Sequence, residues 1–318
     1  MKIVVLDKPC ELEGEIDWGC VANLGDARIY NDTPQEKVAE TIGDAEIVFV
    51  NRLYITKEIL QKCPNIKFIS VIATGYNKID LEEAKKRGIL VSNVPSYGSK
   101  VIGQHAIALL LEITNHIAHH SSEVRRMRKS SDTDWCFWDY PIYELDNKTM
   151  GIIGLGRIGS TVAEAALALG MKVITYDSFE NQTMKEKGIK YVSFEELLEH
   201  SDVISLHCPL TETNKEMINR NSISMMKDGV ILINNSRGGL VNEYDLADAL
   251  KSGKVYGAGI DAVSVEPIKS DNPLLTAPNC FITPHISWAA LDARKRLINL
   301  AAENAKAFLQ GEPINIVN

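Results

Sequence analysis

The chain is predicted to be an α/β protein of two doubly wound parallel-sheet domains, and three observations predict it. Short, apolar, β-branched runs alternate with helix-like segments along its 318 residues, and a parallel neighbour needs such a crossover connection. Runs such as I-V-V-L at Ile3–Leu6 are apolar without a break, as strands buried on both faces must be. The length suits two domains of about 150 residues each, and the alternation stops and restarts in mid-chain.

In the first hundred residues, strands are predicted at Ile3–Leu6, Glu46–Val50, Lys67–Ala73 and Leu90–Ser92, with helices between them such as Thr56–Lys62 and Asp80–Arg87. Beyond Pro95 the pattern changes. Val101 to Met127 has no proline and, after Gly103, no glycine; it carries A-I-A-L-L-L-E-I and ends in R-R-M-R-K. That predicts one long, mostly buried helix, whose end suits the cations of Arg125–Lys129 because they complement the helix dipole. A Ser-, Asp- and Trp-rich loop (Ser130–Tyr140) and Pro141 follow. From Lys148 the alternation restarts, with strands predicted at Met150–Gly154, Lys172–Tyr176, Val203–Leu206, Val230–Asn234, Val255–Ile260 and Phe281–Thr283. Helices are predicted at Arg157–Leu169, Glu195–His200, Glu243–Lys251 and, closing the chain, Trp288–Leu309.

Composition narrows the function classes. The hydrophobic fraction of 45% and charged fraction of 24% are those of an ordinary globular chain. A net charge of −8 offers no global positive field for a nucleic-acid backbone. No apolar stretch approaches the ~18 residues of a membrane span, and the M-K-I-V-V-L-D-K start meets a charge too early for a signal peptide. Six cysteines without a C-x-x-C pair fit free thiols in the reducing cytoplasm. Glu112, His116 and His120 share one helical face, but no second ligand cluster accompanies them, and no metal is expected.

The strongest motif lies in the middle. G-I-I-G-L-G-R-I-G contains Gly154-x-Gly156-x-x-Gly159 after an apolar strand and at the start of a helix, with Asp177 ending the next strand about 20 residues on. Gly154 permits the tight turn, Gly156 lets the backbone approach a pyrophosphate, and Gly159 lets helix and strand pack closely. The unpaired N–H groups of the helix start suit the phosphates. Asp177 suits both ribose hydroxyls and repels a 2′-phosphate; Ser178 follows with no arginine nearby, so NAD is favoured over NADP.

Parallel strands bring the loops after them to one sheet edge. Arg237 follows Val230–Asn234, Asp261 and Glu266 follow Val255–Ile260, and His285 follows Phe281–Thr283, with the His207-Cys208-Pro209 turn on the same edge. Histidine suits proton transfer to or from an alcohol or carbonyl oxygen, and a carboxylate partner such as Glu266 orients it and favours its charged form. The Arg237 guanidinium can grip a substrate carboxylate. Together these residues read as reversible oxidation of a 2-hydroxy acid. Singly, each has a plainer reading: a helix-end ion pair, a solvated loop acid, a hydrogen-bonded core histidine. Cys208 reads as a small packed residue, since nothing nearby lowers its pKa.

With these residues in view, the sequence resembles the D-isomer-specific 2-hydroxyacid dehydrogenases. The resemblance is carried by A-T-G-Y-N-K-I-D (Ala73–Asp80), Gly151–Gly159, H-C-P-L (His207–Leu210), N-N-S-R-G-G (Asn234–Gly239) and T-P-H-I-S-W (Thr283–Trp288). It implies a discontinuous, flavodoxin-like substrate-binding domain (residues 1–98 and 289–318), an inserted Rossmann NAD-binding domain (99–288), catalysis in the cleft and a homodimer with the long helix near its interface. By position it implies that Arg237 binds substrate, His285 is the acid/base and Glu266 its partner. Gly154, Gly156, Arg157, Ile158, Gly159, Asp177, His207, Cys208, Pro209, Thr213, Asn235, Ser236, Asp261, Ser287 and Trp288 are expected around NAD. Asn51 and the backbone N–H groups of Thr74, Gly75 and Tyr76 are expected at the substrate.

Within the family, Tyr76-Asn77 and Ser287-Trp288 look most like glycerate dehydrogenases, or hydroxypyruvate reductases, while Asn51-Arg52 differs from the Arg-Ser pair of phosphoglycerate enzymes. The expected reaction is therefore hydride transfer between NADH and a small 2-keto acid, best hydroxypyruvate/D-glycerate. The alternatives are another small D-2-hydroxy acid such as D-lactate, or an NAD(H)-sensing scaffold like the corepressors that share this fold.

Overall fold

The uninterrupted apolar runs become parallel strands. A computed structural model describes residues 1–9, 14–126 and 135–318, which divide into two compact units, Met1–Gly98 with Ala289–Asn318, and Ser99–Trp288. Cys10, the predicted helix end at Met127, positions 127–129 of the basic cluster and positions 130–134 of the loop lie outside the described residues.

In the first unit β1 (Lys2–Val5), β2 (Asp26–Ile29), β3 (Ile47–Val50), β4 (Phe68–Val71) and β5 (Leu90–Ser92) pair in parallel in the order β2-β1-β3-β4-β5. Helix α1 (Gly19–Ala22) follows β1, α2 (Val38–Ile42) follows β2, α3 (Lys57–Lys62) follows β3 and α4 (Leu81–Lys86) follows β4. Successive strand residues point to opposite faces. Val4, Val48, Val50, Ile69 and Val71 pack with Val38 and Ile42 of α2, Ile59 and Leu60 of α3 and Ala84 of α4. Ile3, Val5, Ile47, Phe49 and Phe68 pack on the other face, with Val21 of α1.

The second unit begins with α5 (Ser99–Asn115) and α6 (Ile117–Arg125). Its strands are β6 (Thr149–Ile153), β7 (Lys172–Tyr176), β8 (Lys190–Tyr191), β9 (Val203–Leu206), β10 (Val230–Asn234), β11 (Val255–Ile260) and β12 (Cys280–Ile282), all parallel, in the order β12-β11-β10-β9-β6-β7-β8. Helices α7 (Arg157–Ala168), α8 (Gln182–Glu186), α9 (Phe194–His200), α10 (Arg220–Met225) and α11 (Glu243–Ser252) lie between them. The strand order reverses between β6 and β9, the kind of point at which open parallel sheets bind ligands.

The long helix predicted over Val101–Met127 is corrected. It starts at Ser99 and breaks at His116, whose φ of 50° is left-handed. Three contacts hold the break: the His116 ring bonds the Tyr256 hydroxyl at 2.9 Å, its N–H donates to the Glu112 carbonyl at 2.8 Å, and the Glu112 carboxylate accepts the Ala118 N–H at 3.2 Å. Glu112, His116 and His120, on one face in the sequence, are thus bound into the helix junction: His120 Nδ1 donates to the His116 carbonyl and its Nε2 accepts the Asp139 N–H.

The chain then returns to the first unit with α12 (Leu291–Leu309), which lays Leu297, Ile298, Ala301 and Ala305 on the Ile3 face of the sheet. Phe308 stacks on Phe68 with ring centroids 4.6 Å apart. Buried Asn304 of α12 donates to the Asn93 carbonyl at 2.9 Å and accepts the Asn315 amide at 2.8 Å, while the Asn93 amide donates to the Thr74 carbonyl at 2.8 Å. Asn304→Leu strands the carbonyl of buried Asn93 and takes the acceptor from the exposed Asn315 amide, and is expected to cost roughly 2 kcal/mol. Urea unfolding measures this, and an unchanged midpoint would show that the network contributes nothing.

Candidate active site

The fingerprint folds as its glycines require. Gly154 has φ 94°, and a Cβ there would meet the Cys208 nitrogen at 2.7 Å. A Cβ on Gly159 would lie 2.1 Å from the Gly154 oxygen, whereas one on Gly156 would meet nothing within 4 Å. No side chain caps the first turn of α7 at Gly156. The result is an open cradle faced by helix N–H groups, and these residues fit a dinucleotide pyrophosphate. Asp177, at the end of β7, accepts the Leu155 N–H at 2.6 Å and the Phe179 N–H at 2.9 Å, so it stands against the cradle.

The turn after β9 lies alongside. Its His207 ring bonds the Ser205 hydroxyl at 2.7 Å, and burial lowers its pKa to about 3, which keeps it neutral. Burial, with a smaller push from the Asp177 charge, raises the Cys208 thiol to about 11, so it is no nucleophile. Asn214 shapes the turn by donating to the Pro209 carbonyl at 2.8 Å and accepting the Thr211 N–H at 2.7 Å; the Thr213 hydroxyl bonds that of Thr211 at 3.1 Å.

After β10, fully buried Asn234 bridges its own loop, accepting the Ser236 N–H at 3.1 Å and donating to the Arg237 carbonyl at 2.9 Å. The Ser236 hydroxyl donates to the Cys208 carbonyl at 2.6 Å, and the Asn235 amide donates to the Ile102 carbonyl at 2.8 Å. Arg237 is exposed, its guanidinium donating to the Ser236 carbonyl at 2.8 Å. Gly238 lies flat on the loop after β11: a Cβ there would sit 1.9 Å from the Val263 carbonyl carbon.

That loop carries Glu266 to His285. His285 Nδ1 lies 2.9 Å and 2.8 Å from the two Glu266 oxygens. The Glu266 hydrogen bond raises the His285 pKa; burial opposes it, the Glu266 and Asp261 charges assist, and the Arg237 charge works against it. On the Glu266 side burial opposes ionisation, but His285, the Val263 N–H and the Arg237 charge together hold its carboxyl below the ordinary value. The ring is partly open to solvent, with 38% of the side chain exposed.

His285 itself sits at φ 54°, an uncommon backbone for histidine. Asp261, only 2% exposed, holds it there: it accepts the Thr283 hydroxyl at 2.6 Å and the N–H groups of Ile286 and Ser287 at 2.8 Å and 2.9 Å. His105 Nε2 reaches the Thr283 hydroxyl at 3.1 Å, and the Trp288 indole donates to the His285 carbonyl at 2.8 Å. Asp261 and the Ser287 N–H are thus committed to shaping this loop.

In the first unit, Asn51 and Arg52 donate their N–H groups to buried Asp7 at 2.8 Å and 2.6 Å, and the Asn51 amide donates to the Ile72 carbonyl at 2.5 Å. Burial pushes the Asp7 carboxyl up while these N–H groups pull it down. The Thr74 hydroxyl donates to the Val94 carbonyl at 2.8 Å, which fixes the start of the Thr74-Gly75-Tyr76 loop. Asp7, Asn93, Asn214 and Glu243 (which binds the Glu266 loop) stand in no motif the sequence offers. Each holds a loop through a partner distant in the fold or hidden in backbone.

A seven-stranded parallel sheet with this cradle at its reversal point and a His–Glu pair on the same edge defines a dinucleotide-binding oxidoreductase. Residues 107–287 match the model of the D-isomer specific 2-hydroxyacid dehydrogenase NAD binding domain. The chain is 53% identical to a hydroxypyruvate reductase of Blautia hydrogenotrophica over 100% of both chains. It is 39% identical to a glycerate dehydrogenase of Methylorubrum extorquens, covering 90% of this chain and 89% of that one. A D-lactate dehydrogenase from Aquifex aeolicus, solved with NAD and lactic acid, superposes with a TM-score of 0.84 at 33% identity, covering 99% of this chain and 98% of that one. The chain belongs to the D-isomer-specific 2-hydroxyacid dehydrogenases, NAD-dependent oxidoreductases acting on the CH–OH group.

Proposed function

We propose that the protein reduces hydroxypyruvate to D-glycerate with NADH. The observation that carries the reading is the His285–Glu266 pair: both carboxylate oxygens lie on Nδ1, at 2.9 Å and 2.8 Å, which leaves Nε2 to address substrate. When bound, NADH supplies the hydride for the keto carbon. His285, charged with the help of Glu266, gives its Nε2 proton to the carbonyl oxygen and takes it back in the reverse direction. Arg237 grips the substrate carboxylate and polarises the adjacent carbonyl. The N–H groups of Thr74, Gly75 and Tyr76 and the residue Asn51 are assigned to substrate binding. We assign the first unit to substrate binding and these roles to its loops.

For the cofactor, the N–H groups at Arg157 and Ile158, with Gly154, Gly156 and Gly159, would hold the phosphates, and Asp177 would bind the ribose. His207, Cys208, Pro209, Thr213, Asn235 and Ser236 line its course, and Asp261, Ser287 and Trp288 shape the nicotinamide end. Asp177→Asn is expected to narrow the preference for NADH over NADPH by about tenfold or more, from the loss of charge-assisted hydrogen bonds worth ~1.5–3 kcal/mol. An unmoved ratio of kcat/KM for the two coenzymes would remove Asp177 from the ribose site.

Full-length likeness to a hydroxypyruvate reductase supports the choice of substrate. NADH oxidation with hydroxypyruvate, pyruvate and glyoxylate tests it. Highest kcat/KM on hydroxypyruvate is expected; a higher value on pyruvate would make the protein a D-lactate dehydrogenase, and NADH binding without turnover would favour a sensing scaffold. We further propose a homodimer, supported by the exposed apolar side chains of Ile117, Val124, Trp138 and Ile142 along α6 and the segment after it. A cytoplasmic location is supported by the free thiols of Cys20, Cys63, Cys136, Cys208 and Cys280.

A further inference from the structure

Glu266 lies in the middle of a loop that has to be held at both sides if its carboxylate is to stay on the imidazole. One side chain does this. Glu243, the first residue of α11, accepts the Ser264 N–H through Oε1 at 2.7 Å, and through Oε2 the Ser264 hydroxyl at 2.7 Å and the Asn272 amide at 2.9 Å. Ser264 lies two residues before Glu266 and Asn272 six after it, so the one carboxylate ties both arms of the loop to the start of the helix. Asn272 passes the restraint on by accepting the Leu274 N–H at 3.0 Å. The Ser264 arm also lies against Gly238, where an added Cβ would come within 2.2 Å of the Ser264 nitrogen. Glu243 shares no hydrogen bond or ion pair with His285 among the described residues.

We propose that Glu243 is a positioning residue for proton transfer, acting through Ser264 and Asn272 to hold Glu266 against His285. The inference rests on the functional reading above. Its chemistry is electrostatic: a carboxylate favours the imidazolium only while it stays within hydrogen-bond reach. The charged and titratable groups acting on the ring are Glu266 from this loop, Asp261 from the end of β11 and Arg237 from the loop after β10, with His105 of α5 3.6 Å from Asp261. Glu243 governs only the first of these, so loosening it removes the support of Glu266 and leaves Asp261 and Arg237 in place.

The sign of the effect is fixed. Keto-acid reduction needs the protonated ring, so activity is lost as pH rises through the raised His285 pKa. Without a well-held Glu266 that loss sets in at lower pH. The test is kcat and KM for hydroxypyruvate across pH in wild type, Glu243→Ala and Glu243→Gln, beside their thermal midpoints. Glu243→Ala is expected to move the basic limb of kcat/KM to lower pH and to lower kcat at pH 8 about tenfold, within the scale of misplaced catalytic groups, with KM for NADH unchanged. Glu243→Gln, which keeps an acceptor for the Ser264 N–H, is expected to fall between the two. An unmoved limb in Glu243→Ala, with only the thermal midpoint lowered, overturns the proposal and makes Glu243 a structural staple. If Glu243→Ala does not fold, Asn272→Ala releases one arm alone, and an unmoved limb there overturns it equally. A wild type with no 2-keto-acid reduction overturns the functional reading itself, a different failure.

Discussion

His285→Ala is expected to lower kcat for keto-acid reduction by about 10²-fold or more, the scale of a general acid–base contribution, while NADH affinity stays close to wild type. The ring's hydrogen bonds run to Glu266, and the backbone of its loop is held by Asp261 and Trp288 rather than by the imidazole. The side chain can therefore be removed with little disturbance to its neighbours. The pH profile supplies a second signature: wild-type reduction is expected to fall as pH rises through the raised His285 pKa, and the alanine variant to lose that limb. Steady-state kinetics across pH with NADH fluorescence titration decide the matter. Turnover within a few-fold of wild type would take His285 out of the reaction.

Gly159→Ala and Gly156→Ala are expected to fail in opposite ways. The first drives a methyl to within 2.1 Å of the Gly154 oxygen and 3.2 Å of an Ile152 methyl, so helix and turn must separate. Overpacking of this kind costs about 1–3 kcal/mol or more, and the cradle for NADH is lost with it. At Gly156 the added methyl meets no protein atom within 4 Å, so stability is expected to be kept; but the methyl would enter the proposed pyrophosphate cradle, and NADH affinity is expected to drop about tenfold or more, equivalent to ~1.4 kcal/mol. Thermal unfolding and NADH titration of both variants separate the cases. A Gly156→Ala protein that binds NADH normally would place the cofactor elsewhere.

Much of this was legible in the sequence, for a physical reason. Strands such as I-V-F-V and V-I-L-I-N are buried along their whole length, so their apolar runs are unbroken and easily read. The edge strands β2 and β8 escaped because D-A-R-I is exposed at every second residue and β8 spans only Lys190–Tyr191. The break at His116 escaped because no glycine or proline marks it; a tyrosine hydroxyl far along the chain, at Tyr256, helps hold it. Arg237, Glu266 and His285 could be picked out because parallel strands deliver their loops to one edge whatever the details. Asn234 acts through backbone N–H and carbonyl groups, which carry no sequence signal, and Glu243 and Asp261 bind partners 21 to 29 residues further along the chain that no local pattern announces. Asp261 is expected beside the cofactor, and its carboxylate also sets the backbone of the histidine loop, a second task the sequence does not show.

The helix that closes the first unit also sets a timetable. During translation Phe68 leaves the ribosome long before Phe308, its stacking partner, and all of Ser99–Trp288 is made in between. Domains fold as units while synthesis proceeds, so the uninterrupted second unit can mature first. The sheet face carrying Ile3, Phe49 and Phe68 must wait for Leu297, Ile298 and Ala301 to cover it. Nascent chains of this protein are therefore expected to need chaperone shelter at their N-terminal end until the final helix has emerged.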